Sequence, residues 1–184
     1  MVVPFTVNER EDDPMTQLAD KYYRLFIRAA SSLQSPFLLA VRLYWGWQFM
    51  QTGWGKLNDV QKVIGFFTHL GIPAPAMNAY FVSGLEFAGG VFLIVGLGSR
   101  LIALPLAIDM IIAYIAADRE ALFSIFSDPD KFTGAAPYTF LVASLIVLIF
   151  GPGKASVDAF VASRLGRSNV GTTFRHGSRV VPQN

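Results

Sequence analysis

The chain has 184 residues, 53% of them hydrophobic and 15% charged, with a formal net charge of +2. Soluble domains average about 25% charged residues, so the composition excludes an ordinary soluble domain and points to one integral membrane domain with polar ends. The small net charge leaves no footprint for nucleic acid, and the lack of cysteine excludes disulfides, thiol redox chemistry and cysteine-ligated metal in this chain.

Residues 1–13 read as a disordered N-terminus in which Glu9, Glu11, Asp12 and Asp13 cluster, without the apolar stretch of a signal peptide. Asp13-Pro14 predicts a helix start. Met15, Leu18, Tyr22, Leu25, Phe26 and Ala29 follow at helical spacing, with Lys21, Arg24 and Arg28 along one edge. Residues 14–34 are thus expected to form an amphipathic helix on an anionic membrane surface, or else a solvated helix packed on a partner.

Pro36 opens the first of four predicted spans, which runs to about Gly53. A short helix follows over Asp59–Leu70, capped by Asn58 or Asp59 and ended by Gly71 and Pro73. At about 12 residues it is too short to cross a bilayer that needs roughly 20, so an interfacial or re-entrant position is expected. The second span covers Ala76–Leu97, Gly98-Ser99 makes a tight return, and Arg100 opens the third, which ends near Ala117. Ala121–Phe126 and the Asp128-Pro129-Asp130 turn lead to a fourth span, from Pro137 to Gly151-Pro152-Gly153. Residues 154–165 predict a short interfacial helix capped by Ser156, and 166–184 a disordered polar tail.

The expected fold class is therefore all-α: a membrane-embedded four-helix bundle over residues 36–153, flanked by short interfacial amphipathic helices. Four spans put both termini on one side. That side receives Lys21, Arg24, Arg28, Arg100, Lys154, Arg164 and Arg167, against Lys56, Lys62, Arg119 and Lys131 opposite. The positive-inside bias predicts cytoplasmic termini.

Arg42, Glu86 and Asp109 each interrupt an otherwise apolar span. A charge at that depth costs at least ~2.5–3.5 kcal/mol and therefore faces a partner or a water-filled cavity. Counted from the cytoplasmic ends at the helical rise, Arg42 lies ~8–9 Å deep, Asp109 ~12–14 Å and Glu86 ~16 Å. A long arginine side chain closes much of that spread, which predicts one buried polar cluster. Ala79, Ser83, Gly89 and Gly90 share the face of Glu86, as close helix packing in lipid requires. Gly46, Phe49, Gly53 and Lys56 fall near the phase of Arg42, and Pro105 frees a carbonyl one turn before Asp109.

The cluster has three readings, of which the third is transport. In the first, Arg42 pairs with Glu86 or Asp109 only to pin the helix register. In the second, one arginine cannot neutralise two carboxylates, so one carboxyl holds a proton and serves proton relay or quinone hydrogen bonding. His69 lies in a loop and His176 in the tail, which excludes a bis-histidine haem within the spans. Trp45, Trp47, Trp54, Tyr44, Tyr80 and Tyr138 read as interfacial anchors and packing. Gly84 and Ala88 form a small-xxx-small pair, a weak pointer to a homo-oligomer.

An ordered set of these residues resembles the DoxX family of four-helix membrane proteins. It comprises Arg42, Gly46, Phe49, Gly53, Gly55-Lys56-Leu57, Phe66-Phe67 and Leu70-Gly71-Ile72-Pro73-Ala74-Pro75. Glu86, Gly89-Gly90, Leu93, Gly96-Leu97, Ser99-Arg100, Gly151-Pro152-Gly153 and Asp158 complete it. The resemblance implies a multi-pass protein of a bacterial cell inner membrane and a quinone-linked redox role as a subunit beside a redox partner protein. No redox centre is encoded in the chain, and quinone is the one cofactor implied. The competing expectations are a structural or assembly scaffold and a pathway for protons or a small molecule.

Overall fold

A computed structural model describes residues 14–170, all of whose regular structure is helical. The eight helices are α1 (Pro14–Asn58), α2 (Val60–His69), α3 (Pro75–Val95), α4 (Ser99–Ala116), α5 (Arg119–Phe123), α6 (Pro129–Gly134), α7 (Ala136–Phe150) and α8 (Val157–Val170). The expectations for residues 1–13 and for the tail from residue 171 lie outside the described residues, while α8 runs to Val170, five residues into the tail expected from residue 166. The chain divides into two compact units between Gln34 and Ser35.

The first unit is the N-terminal part of α1, with an exposed i,i+4 ion pair between Arg24 and Asp20 at 3.2 Å. Helix α1 continues through Pro36 rather than starting there, and it reaches Asn58, five residues past the expected end of the first span.

In the second unit, the remainder of α1 packs with α3, α4 and α7 around Phe49, Leu93, Ala103, Leu106, Met110 and Val147. Phe140 of α7 sets its ring edge-on against Trp45 and Phe49 of α1, with centroids 5.3 and 4.7 Å apart. Helices α3 and α4 are long and apolar enough to cross a membrane, while α7 is a shorter apolar helix of 15 residues. Their apolarity is nearly continuous around the circumference, so side chains such as Leu101, Ile112 and Ile149 stay exposed on the outside.

The connections follow from local chemistry. Gly96 and Gly98 adopt φ of 76° and 56°, a left-handed region that side chains with a Cβ avoid. They close the return between α3 and α4 within a few residues. Short α2 lies against α3, with Val63, Ile64 and Phe67 half-buried and Phe66 exposed. The Asp128 side chain caps α6 by accepting from the Lys131 amide at 3.2 Å. The hydrogen bond from Lys131 Nζ to Glu120, at 3.0 Å, holds that exposed carboxyl below its ordinary pKa. Ser156 caps α8 as its position predicts, accepting from the Ala159 amide at 3.1 Å.

Candidate functional site

Glycines fix how α1 meets α3. A Cβ at Gly46 would stand 2.9 Å from the Gly90 carbonyl oxygen, and one at Gly53 would stand 2.7 Å from that of Ser83. A Cβ at Gly90 would lie 2.5 Å from the Gly46 oxygen. The two backbones therefore touch along an antiparallel seam, the use of small residues that helix packing in lipid favours. In the next layer Leu106 of α4 fills the space over Gly89.

This register decides where the buried charges go. With Gly46 against Gly90, Arg42 stands opposite Ile94. Helical side chains lean toward their own N-terminus, so Arg42 leans toward the C-terminal end of α3. There its Nε donates to Leu93 O at 2.8 Å and its Nη2 to Ile94 O at 3.1 Å. Its Nη1 donates to Pro152 O at 2.5 Å and to Ala155 O at 3.0 Å. The last carbonyls of a helix lack intrahelical donors and carry the negative end of its dipole, and the guanidinium answers both. Arg42 thus clasps the end of α3 to the segment joining α7 and α8.

Asp158 completes the clasp by accepting from the amides of Gly98 and Ser99, at 2.7 and 3.0 Å, at the first turn of α4. The expected pairing of Arg42 with Glu86 or Asp109 is therefore corrected. The depth count used backbone positions, whereas side-chain lean carries Arg42 and Glu86 apart on antiparallel helices.

Lys56 takes the place expected for Arg42. It leans back along α1 while Glu86 leans back along α3, and on antiparallel helices the two converge. Lys56 Nζ reaches Glu86 Oε1 at 2.6 Å, with 37% of the lysine side chain exposed against 3% of the glutamate. Thr52 stands beside the same carboxyl, one turn earlier on α1. Its hydroxyl also lies 3.0 Å from the carbonyls of Gln48 and Phe49.

Asp109 joins this site by the register of α4. Leu106 over Gly89 brings Asp109 level with Glu86, and the charges of Glu86 and Lys56 both act on it. Glu86 Oε2 and Asp109 Oδ2 are buried without a hydrogen-bond partner. Two carboxyl groups with unused oxygens and one ammonium group form a site able to take up, hold or pass a proton, or to bond a polar group entering it. Of the three residues expected to cluster, Glu86 and Asp109 lie at one level of α3 and α4 and Arg42 does not join them. Lys56, read from the sequence as a loop charge, pairs with Glu86 instead. Its shared helical phase with Gly46 and Gly53 was the signal that could have found it. Among the described residues no group of histidine and carboxylate side chains could hold a metal ion.

The DoxX family model matches residues 37–119, a stretch that contains Arg42, Lys56, Glu86 and Asp109. Three relatives are similar over most of their own length. A Bacillus subtilis protein named "Putative oxidoreductase CatD" is 27% identical over 132 residues, covering 72% of this chain and 92% of its own. An uncharacterized membrane protein of Mycobacterium tuberculosis is 28% identical over 141 residues, or 70% and 83% of the two chains. A Haemophilus influenzae protein is also 28% identical, covering 67% and 82%. No solved structure matches the chain.

Proposed function

We propose, from the premise that this chain belongs to the DoxX family of membrane proteins, that it is the quinone-binding subunit of a membrane redox complex. Its spans would be α3, α4, α7 and the second part of α1, forming a four-helix bundle with both termini cytoplasmic. Lys56 supports that orientation: committed to Glu86, it no longer counts among the basic residues of the opposite loops.

One observation carries the reading. Glu86 Oε2 and Asp109 Oδ2 are buried and unpartnered, and Lys56 bonds the other oxygen of Glu86. An unsatisfied buried polar atom normally costs ~1–3 kcal/mol, so two at one place favour a ligand that supplies the missing bonds. The residues fit a quinone head group. Lys56 donates to a carbonyl oxygen, as does whichever carboxyl holds a proton, and an ionised carboxylate accepts from a hydroxyl. Bound quinone supplies two-electron, two-proton chemistry. The chain's own part would be to bond the head group from Lys56 and the acids and to pass protons through Glu86 and Asp109, while a redox partner protein handles the electrons. The name of the Bacillus subtilis relative agrees with an oxidoreductase setting.

A second reading, a scaffold without catalysis, is favoured by the Arg42 clasp, which is wholly architectural. Purification from native membranes in mild detergent, followed by identification of bound quinones and proteins, separates the two. The redox reading expects quinone at near one per chain and its loss from Lys56→Met. Stable partner proteins without quinone support the scaffold, and proton or solute flux in proteoliposomes would support a pathway.

A further inference from the structure

We infer that the N-terminal part of α1, residues 14–34, is an anionic-lipid-binding helix that lies along the surface of the membrane in which the second unit sits. Leu18, Tyr22, Phe26 and Leu33 each expose at least half of their surface, and their spacing puts them on one helical stripe. Lys21, Arg24 and Arg28 occupy the other side of the helix, and Asp20 is the one described acid in the segment. An apolar stripe backed by basic residues is the pattern of an interfacial helix, whose affinity sums apolar burial and attraction to anionic head groups. Each basic residue near an anionic surface strengthens attachment, and the effect fades within a Debye length.

Covalent attachment to a membrane-embedded unit keeps this segment near lipid at all times. Pro36 has no N–H to offer the carbonyl of Ser32. An aromatic-rich stripe facing water next to a bilayer is the costlier arrangement. A soluble acidic partner would meet the basic side but would leave Tyr22 and Phe26 uncovered. Lipid satisfies both sides at once.

The absence of cysteine makes the test clean. Phe26→Cys and Ser31→Cys, one on the apolar stripe and one on the polar side, carry a nitroxide in full-length protein placed in nanodiscs. In discs with anionic phosphatidylglycerol, the label at 26 should favour oxygen over a water-soluble nickel chelate at least threefold relative to the label at 31. The contrast should shrink in purely zwitterionic discs, and also when Lys21→Gln, Arg24→Gln and Arg28→Gln are combined. A label at 26 open to the nickel chelate in anionic discs overturns the inference. So does one shielded from both reagents, which would mean protein covers the stripe, whether a second copy or another chain. A contrast unchanged in zwitterionic discs overturns the anionic preference. Both labelled sites are exposed on the helix surface, so neither change threatens the fold.

Discussion

Lys56 Nζ and Glu86 Oε1 approach to 2.6 Å because their helices run in opposite directions and each side chain leans toward its own N-terminus. The same lean that joins these two separates Arg42 from Glu86. One helix thus carries two cations with different tasks: Arg42 binds only backbone carbonyls, and Lys56 binds the buried acid.

Removing either member of the Lys56–Glu86 pair should destabilise the protein. Breaking a fully buried pair costs ~3–5 kcal/mol, and the loss here should fall below that because 37% of the Lys56 side chain stays exposed. Lys56→Met, Glu86→Gln and the double variant form a cycle whose coupling is read from melting in detergent. The double variant should melt above the sum expected from the single losses. Simple additivity would mean that the contact contributes nothing.

Arg42 should behave as an architectural residue. Its four hydrogen bonds reach carbonyls of Leu93, Ile94, Pro152 and Ala155, and a lysine cannot reproduce that planar fork. Arg42→Lys should therefore lower stability nearly as far as Arg42→Ala, by at least ~3 kcal/mol given ~1–3 kcal/mol for each stranded buried acceptor. Protein that remains folded should bind quinone as the parent does. Detergent melting curves and quinone stoichiometry on the monodisperse fraction provide the two readings.

The seam of α1 against α3 gives a third expectation. A methyl group at Gly90 would meet the Met50 amide and the Gly46 carbonyl, and one at Gly53 would meet Phe87 and Ser83 backbone atoms. Backbone cannot yield as a side-chain tip can, so Gly90→Ala and Gly53→Ala should each cost at least the ~1–3 kcal/mol typical of overpacking. Gly84 and Gly65 have open space where a Cβ would lie. Alanine there should be neutral or stabilising by up to ~1 kcal/mol, from helix propensity. Melting temperatures of the four variants test the contrast.

The sequence disclosed helices well because their ends carry strong local chemistry. Pro75 and Pro137 sit in first turns, while Gly96, Gly98 and Gly151 adopt positive φ at the breaks. It disclosed the burial of Glu86 and Asp109 because an ionisable residue inside an apolar run stands out whatever its neighbours. Pairing was not legible. Depth along a helix is a backbone coordinate, and the choice between Arg42 and Lys56 is made by side-chain lean and by a register that Gly46, Gly53 and Gly90 set together. Asp158 shows the same limit: nothing local predicts that it caps a helix beginning 59 residues earlier, at Ser99.

Topology follows from the proposed bundle. Cysteines introduced singly at Asp130, beyond α5, and at Ser163, on α8, should react with a membrane-impermeant maleimide from opposite faces of intact membrane vesicles. Ser163→Cys should label from the cytoplasmic face. Labelling of both from one face would remove one of the four proposed spans.

The last expectation separates the two acids. Glu86 is the partner of Lys56, so Glu86→Gln strands the ammonium group and should lower the melting temperature. Asp109 has no ion pair among the described residues, and it feels the Glu86 carboxyl, a group of like sign when both are ionised. Asp109→Asn keeps the shape while removing that repulsion, so the melting temperature should hold or rise. Neither amide can release a proton as a carboxylic acid does, so both variants should lose quinone-linked activity if the acids pass protons. Opposite effects on stability with a shared loss of activity would identify a working pair. If Asp109→Asn instead keeps full activity, proton passage rests on Glu86 alone. If both variants stay active and merely melt lower, the site is architectural and the scaffold reading stands.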